Sequence, residues 1–227
     1  MVYKIFFFIL CLPTFFCGQE TAVEKENPPF IIKINAGIPR TISSQMFRKS
    51  FTGVYEGGIS LNFKLLKNFY MGVGYLRTDL RNVDSLKFKV FNAKLPYNTH
   101  LIGSSPYVKL TFDKFYKKNI FVDYSISYGY MLVNYINVNE DTTAKNKPFV
   151  PQNFSSHFIQ PEVSANFIID DYIAFSLLLN YTTLFYKFDP KAPRFNQFEL
   201  VNKKSNKYYM SWFTLALGIN VLIGKGK

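Results

Sequence analysis

Apolar and polar residues alternate along eight separate stretches of this chain, and short and long connections join those stretches in turn. Successive side chains of a β-strand point to opposite faces, so such alternation specifies a strand with one apolar and one polar face. From residue 53, GVYEGGISLNFKLL puts Tyr55, Gly57, Ile59, Leu61, Phe63 and Leu65 on one face. Val54, Glu56, Gly58, Ser60, Asn62 and Lys64 fall on the other. The same period predicts strands over residues 30–38, 53–65, 69–79, 100–112, 119–136, 156–168, 172–187 and 207–223.

Residues 66–68, 113–118 and 169–171 are the short connections, and 39–52, 80–99, 137–155 and 188–206 the long ones. Short turns on one side and long loops on the other are the pattern of outer-membrane barrels, and an even strand number returns both ends to the periplasmic side. The fold class this predicts is all-β, an eight-stranded antiparallel up-and-down transmembrane β-barrel. A soluble sandwich needs a second sheet to cover its apolar faces and has no need of strictly alternating connection lengths.

The N-terminus fits that location. Lys4 precedes an apolar run from Ile5 to Phe16, broken at Pro13, which has the length of a signal-peptide core and is too short for a spanning helix. The expected division is a signal peptide over 1–18, a polar periplasmic lead-in over 19–29 and a barrel domain over 30–227. Cleavage before Gln19 competes with lipidation of Cys17, although Thr14, Phe15 and Phe16 do not make a lipobox. Both cysteines, Cys11 and Cys17, lie in this segment, so the mature chain is expected to carry no disulfide or thiol chemistry.

Composition adds a strong basic balance, with 27 Lys and Arg against 15 Asp and Glu. The basic residues are scattered through turns and loops rather than gathered on one face, which argues against nucleic acid as a partner. Facing an outer leaflet, they would instead meet lipid phosphates. Aromatic residues gather near strand ends: Phe30, Phe69, Phe112, Phe121 and Tyr172 on the periplasmic side, and Tyr75, Tyr130, Tyr186, Tyr208 and Tyr209 on the outer side. Two such belts match the interfacial girdles of membrane barrels.

The segments GGISLNFKLLKNFYMGVGYL at 57–76 and LALGINVLIG at 215–224 resemble the small outer-membrane β-barrel proteins of Bacteroidetes-type Gram-negative bacteria, of the OmpA/OmpX-like eight-stranded kind. The resemblance implies an up-and-down barrel inserted by the barrel-assembly machinery. The chain departs from it at Gly224-Lys225-Gly226-Lys227, where such proteins often end on an aromatic residue. The family spans several roles, so the resemblance implies no activity.

The chemistry in the sequence lies mostly on the polar faces. Lys33, Glu56, Lys64, Lys109, Asp123 and Glu162 share the inward parity, three cations with three anions. An eight-stranded barrel has an interior that side chains just fill, so these residues are expected to form a paired lumen network rather than an ion path. The loop residues Arg40, Arg48, Lys49, Arg81, Lys87, Lys89, Lys94, Arg194, Lys203 and Lys204 form either a solvated rim or a site for lipopolysaccharide phosphates.

Ser155, Ser156, His157 and Glu162 invite comparison with a lipid-A hydrolase, but His157 has lipid-facing parity and Glu162 inward parity. His100 and His157 alone make a poor metal site, and no cofactor motif is present: Gly72–Gly74 lies in a strand, and Gly226 stands where a phosphate loop needs Ser or Thr. The expected function is therefore a non-enzymatic integral outer-membrane protein with a structural or surface-interaction role and a closed polar lumen. A small channel, a secretion-machine subunit and a lipid-A-modifying enzyme are the alternatives.

Overall fold

The computed structural model describes residues 28–43, 45–82, 86–87, 94–95, 99–117, 119–137, 153–189 and 209–224. The expected signal peptide, most of the lead-in, and Lys89, Arg194, Lys203, Lys204 and Tyr208 lie outside the described residues. The elements are β1 (Phe30–Thr41), α1 (Gln45–Ser50), β2 (Phe51–Leu66), β3 (Phe69–Asn82), β4 (Leu86–Lys87), β5 (Lys94–Leu95), β6 (Thr99–Lys117), β7 (Ile120–Asn137), β8 (Phe154–Ile168), β9 (Ile173–Lys187) and β10 (Tyr209–Ile223). Eight strands close into one barrel in the order β1-β2-β3-β6-β7-β8-β9-β10, with β10 pairing back onto β1. Every pairing is antiparallel and joins neighbours in the chain, as the alternating pattern predicts. β4 and β5 form a separate two-stranded ribbon in the second long connection, with Lys87 opposite Lys94.

The strands run further than the sequence pattern marks. Residues 113–118, expected as a turn, are strand as far as Lys117, and Asp113 pairs with Asp123 across β6 and β7. Arg40 and Arg81, expected in loops, are exposed strand residues near the outer ends of β1 and β3. Arg48 and Lys49 lie on α1, exposed. The periplasmic turns are correspondingly tight. In the last of them Asp170 Oδ1 accepts from the backbone N–H groups of Tyr172 and Ile173 at 2.7 Å each, a side chain standing in for a backbone turn.

Ile34, Ile59, Val73, Leu110, Ile126, Phe175, Leu179, Leu215 and Ile219 are exposed on the outer surface, where no second layer of protein covers them. Phe30, Phe69 and Tyr172 project at the periplasmic end, and Tyr75, Tyr130 and Tyr209 toward the outer end. Phe121 does not belong to this belt. It points inward and stacks on Phe115 at 5.0 Å. Tyr186 is also drawn in, stacked on Phe154 at 3.8 Å.

Register fixes what parity leaves open. From Lys33 it passes through Ser60, Gly74, Tyr107, Gly129, Phe158 and Leu184 to Met210. The flanking Tyr209 and Ser211 carbonyls bond Ser43, so the circuit returns about ten residues higher on β1 than it began. The strands are tilted by that stagger, and it decides which inward residues share a level.

Candidate functional site

The interior is built in three storeys. At the periplasmic end Ile31, Tyr70 and Leu222 pack together, beside Phe121, Ile168, Ala174 and the partly buried Phe115. Tyr70 donates its hydroxyl to the Pro28 carbonyl at 3.0 Å, which draws the chain preceding β1 under the mouth.

Polar side chains fill the middle storey. Lys33 forms an ion pair with Asp123, and Ser164 also donates to Asp123 at 3.1 Å. Lys109 pairs with Glu162 at 2.7 Å, and Ser125 approaches the same carboxylate oxygen at 3.4 Å. Below these, Asn220 donates to Asn166 at 2.6 Å and to Ser176 at 2.8 Å, and Ser176 donates to Asn166 at 2.8 Å. Both ion pairs are buried, and a charge left there without its partner would cost several kcal/mol, roughly 3–5. A Cβ on Gly74 would meet the Tyr107 hydroxyl at 2.6 Å, so this glycine makes room for a large inward ring.

Glu56 stands apart. It is 1 % exposed and takes its hydrogen bonds from neutral donors: Trp212 Nε1 and Thr214 Oγ1 at 2.7 Å each, Thr78 Oγ1 at 2.9 Å and Gln160 Nε2 at 3.4 Å. Four strands, β3, β8, β10 and β2 itself, thus converge on one carboxylate.

The outer storey is apolar. Met46 and Phe47 of α1 insert among Phe51, Leu80, Leu101, Met131, Phe158, Phe188, Met210 and Trp212. Phe47 lies 5.7 Å from Phe188, 5.9 Å from Phe51 and 6.5 Å from Trp212, ring centre to ring centre. A register shift between Gly53 and Tyr55 leaves Val54 and Tyr55 both exposed, and the bulge turns Phe51 inward to join this plug.

Five of the six residues expected in the lumen are there: Lys33, Glu56, Lys109, Asp123 and Glu162 are buried. Lys64 is not. It is exposed at the periplasmic end of β2, where a second register shift precedes the turn and its backbone N–H donates to Pro29 O at 2.9 Å. Inward parity there points at the open mouth rather than at the interior. Asp113, buried beside Asp123, was missed, because the acid and the lysines after it look like turn residues. Continuing the alternation Tyr107, Lys109, Thr111 by one step finds it. The described lumen therefore holds two cations, Lys33 and Lys109, and four carboxyl groups, rather than three of each.

The Ser–His–Glu comparison comes apart in the structure. His157 faces outward, bonded through Nδ1 to the Tyr128 hydroxyl at 2.9 Å and stacked on its ring, and Ser155 is 2.5 Å from the Tyr130 hydroxyl. Glu162 is on the other side of the barrel wall, held by Lys109.

No family model and no curated protein sequence matches the chain. Solved structures do. Neisserial surface protein A matches with a TM-score of 0.51 at 11% identity, covering 86% of this chain and 97% of that one. Ail, the attachment invasion locus protein of Yersinia pestis, gives a TM-score of 0.47 at 8% identity over 86% and 98% of the two chains. The outer membrane protease OmpT from Escherichia coli gives 0.41 at 10% identity over 89% and 99%. At such identities the likeness to the Neisserial protein is one of fold. Together with a closed antiparallel barrel whose apolar residues face outward, it makes this chain an integral outer-membrane β-barrel.

Proposed function

We propose that this protein is a non-conducting, non-enzymatic outer-membrane barrel that acts through its envelope contacts and its outer surface. The observation that carries the reading is the unbroken filling of the interior: an apolar floor, a paired polar middle and an apolar plug in which α1 takes part. A water-filled path would have to pass all three. Side chains filling the bore are what so few strands leave room for. The separation of His157 from Glu162 favours a role without catalysis. Insertion by the barrel-assembly machinery belongs to the same reading. So does the finer likeness to Bacteroidetes-type barrels, whose two segments form the β2–β3 hairpin and the end of β10.

Planar-bilayer recording tests it. Purified protein is expected to give no stable single-channel current. A steady, ion-selective conductance in the unaltered protein would sink the reading in favour of a small channel.

A further inference from the structure

Basic side chains on the outer surface are confined to one side of the barrel near its outer end. Arg40 on β1 and Arg77 and Arg81 on β3 all face outward and are exposed. Gly53 packs directly on Pro39, which sets Arg40 beside Thr52. Thr52 is the register partner of Arg81, and Arg81 is in turn the partner of His100. Two strand spacings put the Arg40 and Arg81 backbones about 10 Å apart, and four residues of strand put Arg77 about 13 Å below Arg81.

The acid among them, Asp79, is already engaged by His100 Nδ1 at 3.0 Å. Three guanidinium groups therefore face one carboxylate that has a partner of its own. Tyr75 lies immediately below Arg77 on the same face, and the Tyr55 ring folds down over Gly57. Exposed tyrosines at this level mark the membrane interface, which puts the arginines at the depth of lipid headgroups.

The opposite wall differs. Across the outward faces of β7, β8, β9 and β10, Lys187 at the outer end of β9 is the one basic residue other than histidine among those described. Tyr130, Leu132, Phe185 and Tyr209 are exposed there instead.

We propose that the β1–β3 wall is a binding site for the phosphate groups of lipopolysaccharide in the outer leaflet. Arginine presents a planar fork that matches phosphate oxygens in pairs, and it remains charged at every relevant pH. Two such forks about 10 Å apart, with a third below, suit a headgroup carrying more than one phosphate better than a singly charged phospholipid. The site is independent of whether the lumen conducts.

The test is lipid retention by purified protein, counted by native mass spectrometry after incubation with rough lipopolysaccharide or with phosphatidylglycerol. The unaltered protein is expected to retain lipopolysaccharide preferentially. The R40Q/R77Q/R81Q variant should retain it at least about tenfold less well, since a lost charge-assisted hydrogen bond alone is worth that much. Lys187→Gln, on the other wall, should leave retention unchanged. Should the triple variant fail to show a folded band on unboiled gels, R40Q/R81Q is read in the same assay. Undiminished lipopolysaccharide binding by the arginine variants, or equal retention of phosphatidylglycerol by the parent, would overturn the proposal.

Discussion

Lys33 of β1 and Asp123 of β7 meet across the middle of the barrel, four strands apart in either direction around the wall. The pair ties together opposite sides that share no backbone hydrogen bond. Asp113 is next to Asp123 in register and within electrostatic reach of Lys33, so one ammonium group serves two carboxyls.

That arrangement makes the two partners unequal. Lys33→Met leaves two neighbouring carboxyl groups without their cation and should cost about 3–5 kcal/mol of stability. Asp123→Asn still leaves Lys33 the Asp113 carboxylate and should cost less. Removing both with Lys33→Met and Asp123→Leu should recover much of the loss, because apolar packing replaces a buried ion pair at little cost. Urea unfolding of protein reconstituted in vesicles measures all three. Equal losses for the two single variants would show that Asp113 does not share the ammonium.

Glu56 offers a second test. Every hydrogen bond printed for it comes from a donor, so its carboxylate is matched as an acceptor on both oxygens. Glu56→Gln would turn an amide N–H₂ toward donors and leave at least one of them unpaired. The expected loss is about 1–3 kcal/mol, again by urea unfolding. Current across planar bilayers should stay absent, because the apolar plug above is untouched. A leak on this substitution would mean that the polar middle, and not the plug, is the seal.

The topology is open to labelling. Lys49 on α1 is exposed at the outer end, and Asp171 is exposed in a periplasmic turn. In intact cells a membrane-impermeant thiol reagent should label Lys49→Cys and spare Asp171→Cys until the outer membrane is disrupted. Mass analysis of the same preparations should find a mature chain starting at or near Gln19, without Cys11 and Cys17. Labelling in the reverse order would invert the barrel.

Period-two alternation made the strands legible, because in a barrel each inward position must be compatible with a crowded lumen and each outward one with lipid. Lys33, Glu56, Lys109, Asp123 and Glu162 could be read as inward from parity alone. Their partners could not. Which residues share a level depends on the stagger accumulated around eight strands, a property of the closed sheet and of no single segment. Parity also misled where its physical basis lapsed. Lys64 has the inward phase but sits where the lumen opens, and Phe121 has the inward phase that a belt of interfacial rings does not. The plug was hidden for a different reason. Met46, Phe47 and Phe51 carry a helical spacing over only one turn, too short to stand out from a connection and interpretable only once the β2 bulge turns Phe51 inward.

That plug can be watched directly. Trp212 is the one tryptophan in the chain, buried between the Glu56 carboxylate on one side and Phe47 on the other. Its emission should be blue-shifted and resistant to iodide added from outside. Phe47→Ala removes a fully buried ring from α1 and should destabilise the protein by about 3–5 kcal/mol if the helix stays seated over the cavity. If the helix instead lifts away, the loss is smaller, but water reaches Trp212, its emission moves to the red and iodide quenches it. Arg48→Ala, on the exposed side of the same helix, should do neither. Unchanged stability together with unchanged quenching in Phe47→Ala would show that α1 does not hold the outer storey closed.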